Sequence, residues 1–281
     1  MGMSINTNAG AEVAAVAAQR AAAMMDEAML RLSTGKRINS AKDDAAGLAV
    51  ATRMAKEIAG LSQALRNAND AQGLVDTGEA ALKEVSTLLL RMREIAVSAS
   101  SDTNTDADRD ALNTEVTALE TEISRIGDQT SWGGITLFTG TYGKSSPIRF
   151  HLGPNTTNFV DVTLGVVSIG AKDLQGALSL TGDVDTRAKA TAYITGIDAA
   201  ISIISSRRGA FGAVSNRLTS AITNLENMKS SMVTAKGQVE DANYAEETAK
   251  LARAQILMQA ATAMLAQANA SKQATLKLVT G

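Results

Sequence analysis

Between Leu61 and Ala96 the apolar residues recur every seven positions along two tracks. Leu61, Ala68, Val75, Leu82, Leu89 and Ala96 form one, and Ala64, Ala71, Gly78, Val85 and Met92 form the other. Consecutive heptads of this kind mark a coiled-coil-like helix, and so long an apolar seam must be covered by a partner. The helical pattern spans 46–100, and at 1.5 Å per residue it runs roughly 80 Å. A chain of 281 residues folded around such a helix is expected to be a rod. The partner is found in 184–237, expected to run antiparallel to it. There Phe211, Leu218, Leu225 and Met232 form one seam, and Val214, Ala221, Met228 and Ala235 the other.

A third helix is expected over 106–127. The break at 101–105 (SDTNT) precedes it, Thr105 and Asp108 form a capping box, and Gly127-Asp128 ends it. Leu112, Val116, Leu119, Ile123 and Ile126 supply its apolar stripe. Composition agrees with long helices. There are two prolines, aromatics are 3%, and the 45% apolar content is rich in alanine. Small side chains favour closely packed helices over a thick core built on large anchors.

The two ends differ from the middle. Residues 5–34, with Asn8 as N-cap, hold only Glu12 and Arg20 as charges in their first two thirds, and within 251–270 the single charge is Arg253. Helices this apolar all round must be covered on most sides. The N- and C-terminal helices are therefore expected to pair and then to pack against other copies. Val13, Val16, Leu30, Leu251, Ile256, Leu257, Met264 and Leu265 are the candidate packing residues. Regular head-to-tail packing of a rod gives an open helical filament. The fold class is mainly α, a long antiparallel coiled-coil-like helical rod with a small β-hairpin region and paired terminal helices. The expected domains are 1–45, 46–237 and 238–281.

Residues 129–182 change character, with more Gly, Ser and Thr, three of the four Phe, and the Trp and His. Ile135–Phe138, Ile148–Leu152 and Phe159–Leu164 read as short strands, with Gly153-Pro154-Asn155-Thr156 as a turn. This region is too small for a separate core.

No constellation for catalysis emerges. The chain has no cysteine, which excludes disulfides, iron–sulfur ligation and thiol catalysis. His151 stands without a second histidine, so it reads as a structural or surface residue. Gly143-Lys144-Ser145 lacks the upstream glycine of a phosphate loop, because Phe138 stands there. Asp102, Asn104 and Asp106 begin like a calcium loop, but Ala107 and Asn113 occupy its Gly and Glu positions, and capping is the default. Asn155-Thr156-Thr157 matches a glycosylation sequon, a triplet of little weight by itself, and Ser/Thr in 141–185 are equally available as O-glycan acceptors. Met24, Met25, Met228, Met232, Met258 and Met264 fall at helical spacing and read as seam packing. Arg207-Arg208 reads as a solvated pair. The net charge of −2 gives no general attraction for nucleic acid. Residues 254–271 are too polar for membrane insertion, and residues 1–4 lack the features of a cleaved signal. No enzyme activity, cofactor or metal is expected.

One further stretch, Leu32 to Met54 (LSTGKRINSAKDDAAGLAVATRM), joins two helical patterns, and its LS-x-G-x-RINSA-x-DDAAG run resembles the N-terminal signature of bacterial flagellins. Residues 67–109 resemble the family's first core helix and turn, and 216–226 and 239–269 its C-terminal signature. The resemblance implies a terminal helical domain, a spoke, and a core of three long helices with β-hairpins. With about 50 residues between the helical parts, it implies a short form lacking the large variable outer domains. It also implies a structural subunit that polymerises into the flagellar filament for motility. Export through the flagellar type III apparatus to an extracellular flagellum follows from it. So do an export chaperone on 235–281, hook-associated and cap proteins, and a Toll-like receptor contacting Leu90, Arg91, Ile95 and Glu115. Leu90 and Ile95 depart from the family's frequent Gln and Leu at those positions. The spoke residues Arg37–Asp44 are expected to be ordered in the filament and loose in the monomer. The alternative is a cell-surface flagellin homologue acting as an adhesin or polysaccharide-binding protein through Trp132, Phe138, Tyr142 and Phe150.

Overall fold

In a computed structural model, the structure describes residues 7–138, 148–153, 159–162 and 184–280. It contains helices α1 (Ala9–Thr34), α2 (Ala45–Ala99), α3 (Asp106–Gln129), α4 (Arg187–Glu240) and α5 (Tyr244–Thr280). Four short strands complete the described elements: β1 (Ser131–Trp132), β2 (Ile135–Thr136), β3 (Ile148–His151) and β4 (Phe159–Val162). The protein is mainly helical, and the N- and C-terminal helices pack together. Contacts divide it into two compact units, Met1–Lys56 with Ser231–Gly281, and Glu57–Ser230. Both boundaries fall inside helices, whereas the sequence reading placed them at helix breaks. The first turns of α2 belong with the segment before them: Ile38 is buried, and a Cβ on Gly47 would lie 2.6 Å from its Cδ1.

In the first unit α1 pairs with α5. The Asn8 side chain accepts from the N–H of Ala11 at 3.1 Å, satisfying an otherwise orphan donor at the start of α1. Gly35 ends the helix in the left-handed conformation (φ 69), donating to the carbonyl of Arg31 at 2.9 Å. Ala14, Ala21 and Ala28 lie seven residues apart on one buried face of α1. Ala254 and Ala261 are buried on α5, and at Gly10 a Cβ would meet that of Ala268 at 3.8 Å. The contact is thus a seam of methyl groups, which allows close approach of the two backbones.

A seam of identical methyls fits nearly as well one heptad out of register, so polar contacts must select the pairing. Asn8 donates to the carbonyl of Ala268 at 3.3 Å near one end. Arg31 meets the buried carboxylate of Glu247 at 3.4 Å toward the other, and Lys250 reaches the same carboxylate at 2.8 Å. Lys250 lies on α5 with Glu247, so a slipped register would cost the buried carboxylate its cross-helix cation, Arg31.

Residues 35–44 are tied to the end of α4. Lys36 and Asp241 form an antiparallel bridge, the Ala242 N–H donates to the Gly35 carbonyl at 3.0 Å, and the Arg37 N–H donates to that of Glu240 at 2.7 Å. The Arg37 guanidinium donates to the Val239 carbonyl at 2.9 Å, so a cation caps the negative end of the helix. The Glu240 carboxylate pairs with Lys36 and with Lys236, which hold it below the usual carboxylate range. Asp43 accepts from the N–H groups of Ser40 (2.8 Å) and Asn39 (3.0 Å), and these bonds lower its pKa in turn.

The second unit holds the heptad seams. All the named positions of both α2 tracks are buried. On α4 the buried line runs Ala190, Ile197, Ile204, Phe211, Leu218 and Leu225, extending upstream the seam read from the sequence. The other expected α4 seam is only partly covered: Val214 and Ala221 are half-buried and Met228 is exposed. Gln72 donates to Ser215 at 2.7 Å, Glu79 meets Arg208 at 2.8 Å, and Arg93 meets Asp198 at 2.7 Å, a descending series that makes α2 and α4 antiparallel. Arg208 is therefore an inter-helix partner, unlike the solvated residue expected. At Gly78 the missing Cβ leaves room for the Phe211 ring, whose Cε2 lies 2.9 Å from where that Cβ would stand.

α3 closes the layer. Thr105 and Asp108 form the capping box, and the helix runs to Gln129, past the expected stop. The Tyr193 hydroxyl donates to Glu120 at 2.7 Å, and burial, with Glu120 beside it, pushes its pKa up. Gly133 and Gly134, both at positive φ (57 and 83), turn β1 into β2, a hairpin geometry that glycine adopts without strain. β1 was not foreseen, and the expected strand 135–138 stops at Thr136, after which Leu137 and Phe138 turn into the core. β3 and β4 pair antiparallel, His151 opposite Phe159, and Asn67 of α2 donates to the His151 carbonyl at 2.9 Å. Residues 139–147, which include Gly143-Lys144-Ser145, lie outside the described residues, as do 154–158 and 163–183.

Candidate assembly interface

The first unit is packed inside out for a soluble monomer. Ala21 is 1% exposed, whereas Val13 is 71%, Ile256 65%, Met264 64% and Leu30 51% exposed. Val16 and Leu257 are also exposed, and Leu251 and Leu265 are half-buried. The residues singled out in the sequence thus lie mostly outward, and the internal contact is made by alanines that the sequence reading did not single out. An exposed apolar surface shared by two neighbouring helices marks an interaction site. The exposed Met24, Met228 and Met264 are not internal seam residues, as their spacing suggested, whereas Met92 is.

Two grooves follow the first unit. One, of about 480 Å³, is lined by Val13, Val16, Ala17, Met24 and Leu257 with Glu12 and Arg20 at its margin. The other, of about 290 Å³, is lined by Met24, Ala28 and Ala254 with Glu27, Arg31, Glu247, Lys250 and Arg253. Met24 borders both. Four charges of the second groove, Glu27, Arg31, Glu247 and Lys250, are linked by ion pairs: Arg31 also meets Glu27 at 2.6 Å, and Lys250 also reaches Glu246 outside the groove at 2.9 Å. Glu247 and then Glu246 raise the pKa of Lys250, and Lys250 lowers that of Glu246.

The calcium-like residues serve as local ties. Asn104 donates to the Ser98 carbonyl at 2.6 Å, Asp102 meets Arg187 at 3.2 Å, and Asp106 meets Arg109 at 3.4 Å. Among the described residues no group of three or more His, Asp or Glu is placed to hold a metal ion. Among the residues of the adhesin alternative, Phe138 is buried and Phe150 half-buried. Trp132 lies over Gly73, where a Cβ would stand 2.6 Å from the indole, and Tyr142 lies outside the described residues. No described helix is long and apolar enough to cross a membrane.

On the second unit, Leu90 is exposed, and Arg91 bridges to Glu115 at 2.8 Å and Glu94 at 3.1 Å, both of which raise its pKa, Glu115 first. Ile95, by contrast, is 2% exposed, so its side chain belongs to the core.

The family description "Bacterial flagellin N-terminal helical region" matches residues 5–143, and "Bacterial flagellin C-terminal helical region" matches 194–279. A flagellin of Halalkalibacterium halodurans is 39% identical over 90% of this chain and 91% of its own length. Polar flagellin F of Vibrio parahaemolyticus is 28% identical, covering 99% of this chain and 100% of the relative. That alignment runs over 376 positions against 281 residues here, so the Vibrio protein carries segments this chain lacks. A solved Vibrio parahaemolyticus structure described as flagellar hook-associated shares the fold (TM-score 0.62, 19% identity, 71% of this chain and 100% of that one). With both terminal helical regions matched and a relative this similar over nearly its whole length, the chain belongs to the bacterial flagellin family, the structural, non-enzymatic subunits of the flagellar filament.

Proposed function

We propose that this flagellin polymerises through the outward faces of α1 and α5, with Val13, Val16, Leu30, Ile256, Leu257 and Met264 buried against other subunits and Leu251 and Leu265 at the margin. The observation that supports this reading is the inversion of the first unit, alanines inside and large aliphatic side chains outside. Burying one such side chain contributes about 1.5–3 kcal/mol, and a filament buries every copy. The test is a full-length chain carrying Val13→Ser and Ile256→Ser, offered to preformed filament seeds. Loss of elongation with monomer helicity retained supports the reading, and wild-type elongation overturns it. Removing about 40 residues from each end should leave a soluble monomer, and filaments of that truncation seen by electron microscopy would count equally against it.

The same surface suits the partners that family membership suggests. An export chaperone covering 235–281 would shield the exposed Ile256, Leu257 and Met264 before assembly, and cap and hook-associated proteins would meet the subunit at the filament ends. Passage through the type III export apparatus to an extracellular flagellum completes this reading. At the second unit, Leu90, Arg91 and Glu115 are available to a Toll-like receptor, and Ile95 is not. Charge reversal at Arg91 should weaken receptor activation, whereas unchanged activation would remove these residues from consideration.

A further inference from the structure

Sulfur in this chain is all thioether: there are 11 methionines and no cysteine. Their surroundings differ sharply. Met92 is fully buried, whereas Met24 is 47%, Met29 51% and Met264 64% exposed on the apolar faces of α1 and α5. Met24 sits on the ridge shared by the two grooves of the first unit. An exposed thioether reacts with peroxide-class oxidants, and the product is a polar, chiral sulfoxide in place of a flexible apolar side chain.

We propose that Met24 and Met29 on α1 and Met264 on α5 are separate oxidation-sensitive positions that gate assembly, each open to peroxide in the free subunit and closed to it in the polymer. The inference rests on the proposed burial of these faces between subunits. In the chemical step the methionine sulfur attacks one peroxide oxygen, the O–O bond breaks, an S–O bond forms, and water leaves. The sulfur loses two electrons and the peroxide gains them. A sulfoxide oxygen carried into an apolar contact arrives without a donor, and burying an unpaired polar group is unfavourable. Nothing in the free subunit opposes the reaction, because the three side chains face solvent. The alanine seam between α1 and α5 is untouched, so the oxidised monomer keeps its fold.

The test uses full-length monomer and preformed filaments exposed to the same limited dose of hydrogen peroxide, with oxidation mapped by peptide mass spectrometry and elongation followed on seeds. In the monomer, Met24, Met29 and Met264 oxidise well before Met92, and elongation falls roughly tenfold or more. Treatment with methionine sulfoxide reductases and a thiol reductant restores it. The Met24→Leu, Met29→Leu, Met264→Leu chain elongates as the wild type does and resists peroxide. Wild-type elongation of a monomer oxidised at all three positions overturns the gate, as does equal peroxide sensitivity of the leucine variant. If instead Met24 and Met264 oxidise as fast in filaments as in monomers, the proposed interface itself is wrong, a separate outcome from failure of the gate.

Discussion

The alanine seam between α1 and α5 makes the substitution Ala21→Leu informative. Ala21 is 1% exposed, with Ala14 and Ala28 one heptad away on either side, and Ala254 and Ala261 buried on the facing helix. Each buried methyl contributes at most about 0.8 kcal/mol, so the whole seam is weak. Three added carbons cannot enter without forcing the helices apart or the side chain off its rotamer, at about 1–3 kcal/mol. One overpacked position thus cancels what several alanines contribute. Hydrogen exchange on the monomer should show amides of both α1 and α5 losing protection together, while those of α2 around Leu82 keep theirs. Elongation on seeds should fall as well, because the outward face is no longer presented by a paired helix. The comparison is Val13→Ala, at a residue 71% exposed. Its monomer stability should change by less than about 0.5 kcal/mol while elongation slows. Unchanged protection of α5 in Ala21→Leu would refute the claim that the alanine seam holds the pair together.

Three further perturbations address the rest of the molecule. Leu89→Ala, at a fully buried position of the second unit, should cost about 2–5 kcal/mol, read as a lower denaturation midpoint with unchanged slope. Thr105→Ala removes the cap of α3 and half of its reciprocal box, at about 1 kcal/mol, measurable by urea titration. Glu240 and Asp43 both have pKa values below their ordinary ones, so their contribution is complete above the ordinary carboxylate range and is lost as pH falls through the lowered folded values. The thermal midpoint should therefore decline on the acid side of about pH 4, less steeply in Glu240→Gln, and an equal decline in that variant would remove the Lys36–Glu240–Lys236 cluster from the account.

The heptads of α2 were readable because large and small apolar residues alternate against a polar background, and every named position is buried. The continuation on α4 through Ala190, Ile197 and Ile204 carries the same seven-residue signal and was recoverable from it. The seam of α1 was hidden for a different reason. Ala14, Ala21 and Ala28 stand among many other alanines, and periodicity cannot be seen when buried and exposed positions carry the same residue. The eye goes to Val13, Leu30 and Ile256, which do lie on an apolar surface, but not on the one that closes within the chain. Contacts between distant segments were beyond any local pattern: the Trp132 ring over Gly73, Arg208 on Glu79, and Asn67 on the His151 carbonyl each depend on two elements meeting.

The two units use one repeat in opposite senses. In the second, large seam residues such as Leu61, Leu82, Leu89, Ile204 and Phe211 alternate with small ones such as Ala68 and Gly78, and burial within the chain accounts for the large ones. In the first, those positions carry Ala, and the bulk is moved to the outer face. A seam of methyls holds two helices weakly but brings their backbones close, so the pair is thin and its outer surface is almost all side chain. Such a unit gains little by closing on itself and much by being surrounded. Making the seam large and the surface polar would stabilise the monomer and remove the reason to assemble. The weak internal seam and the apolar exterior thus fit together: a pair held mainly by methyls gains further stability where neighbours cover that exterior, as proposed for the filament.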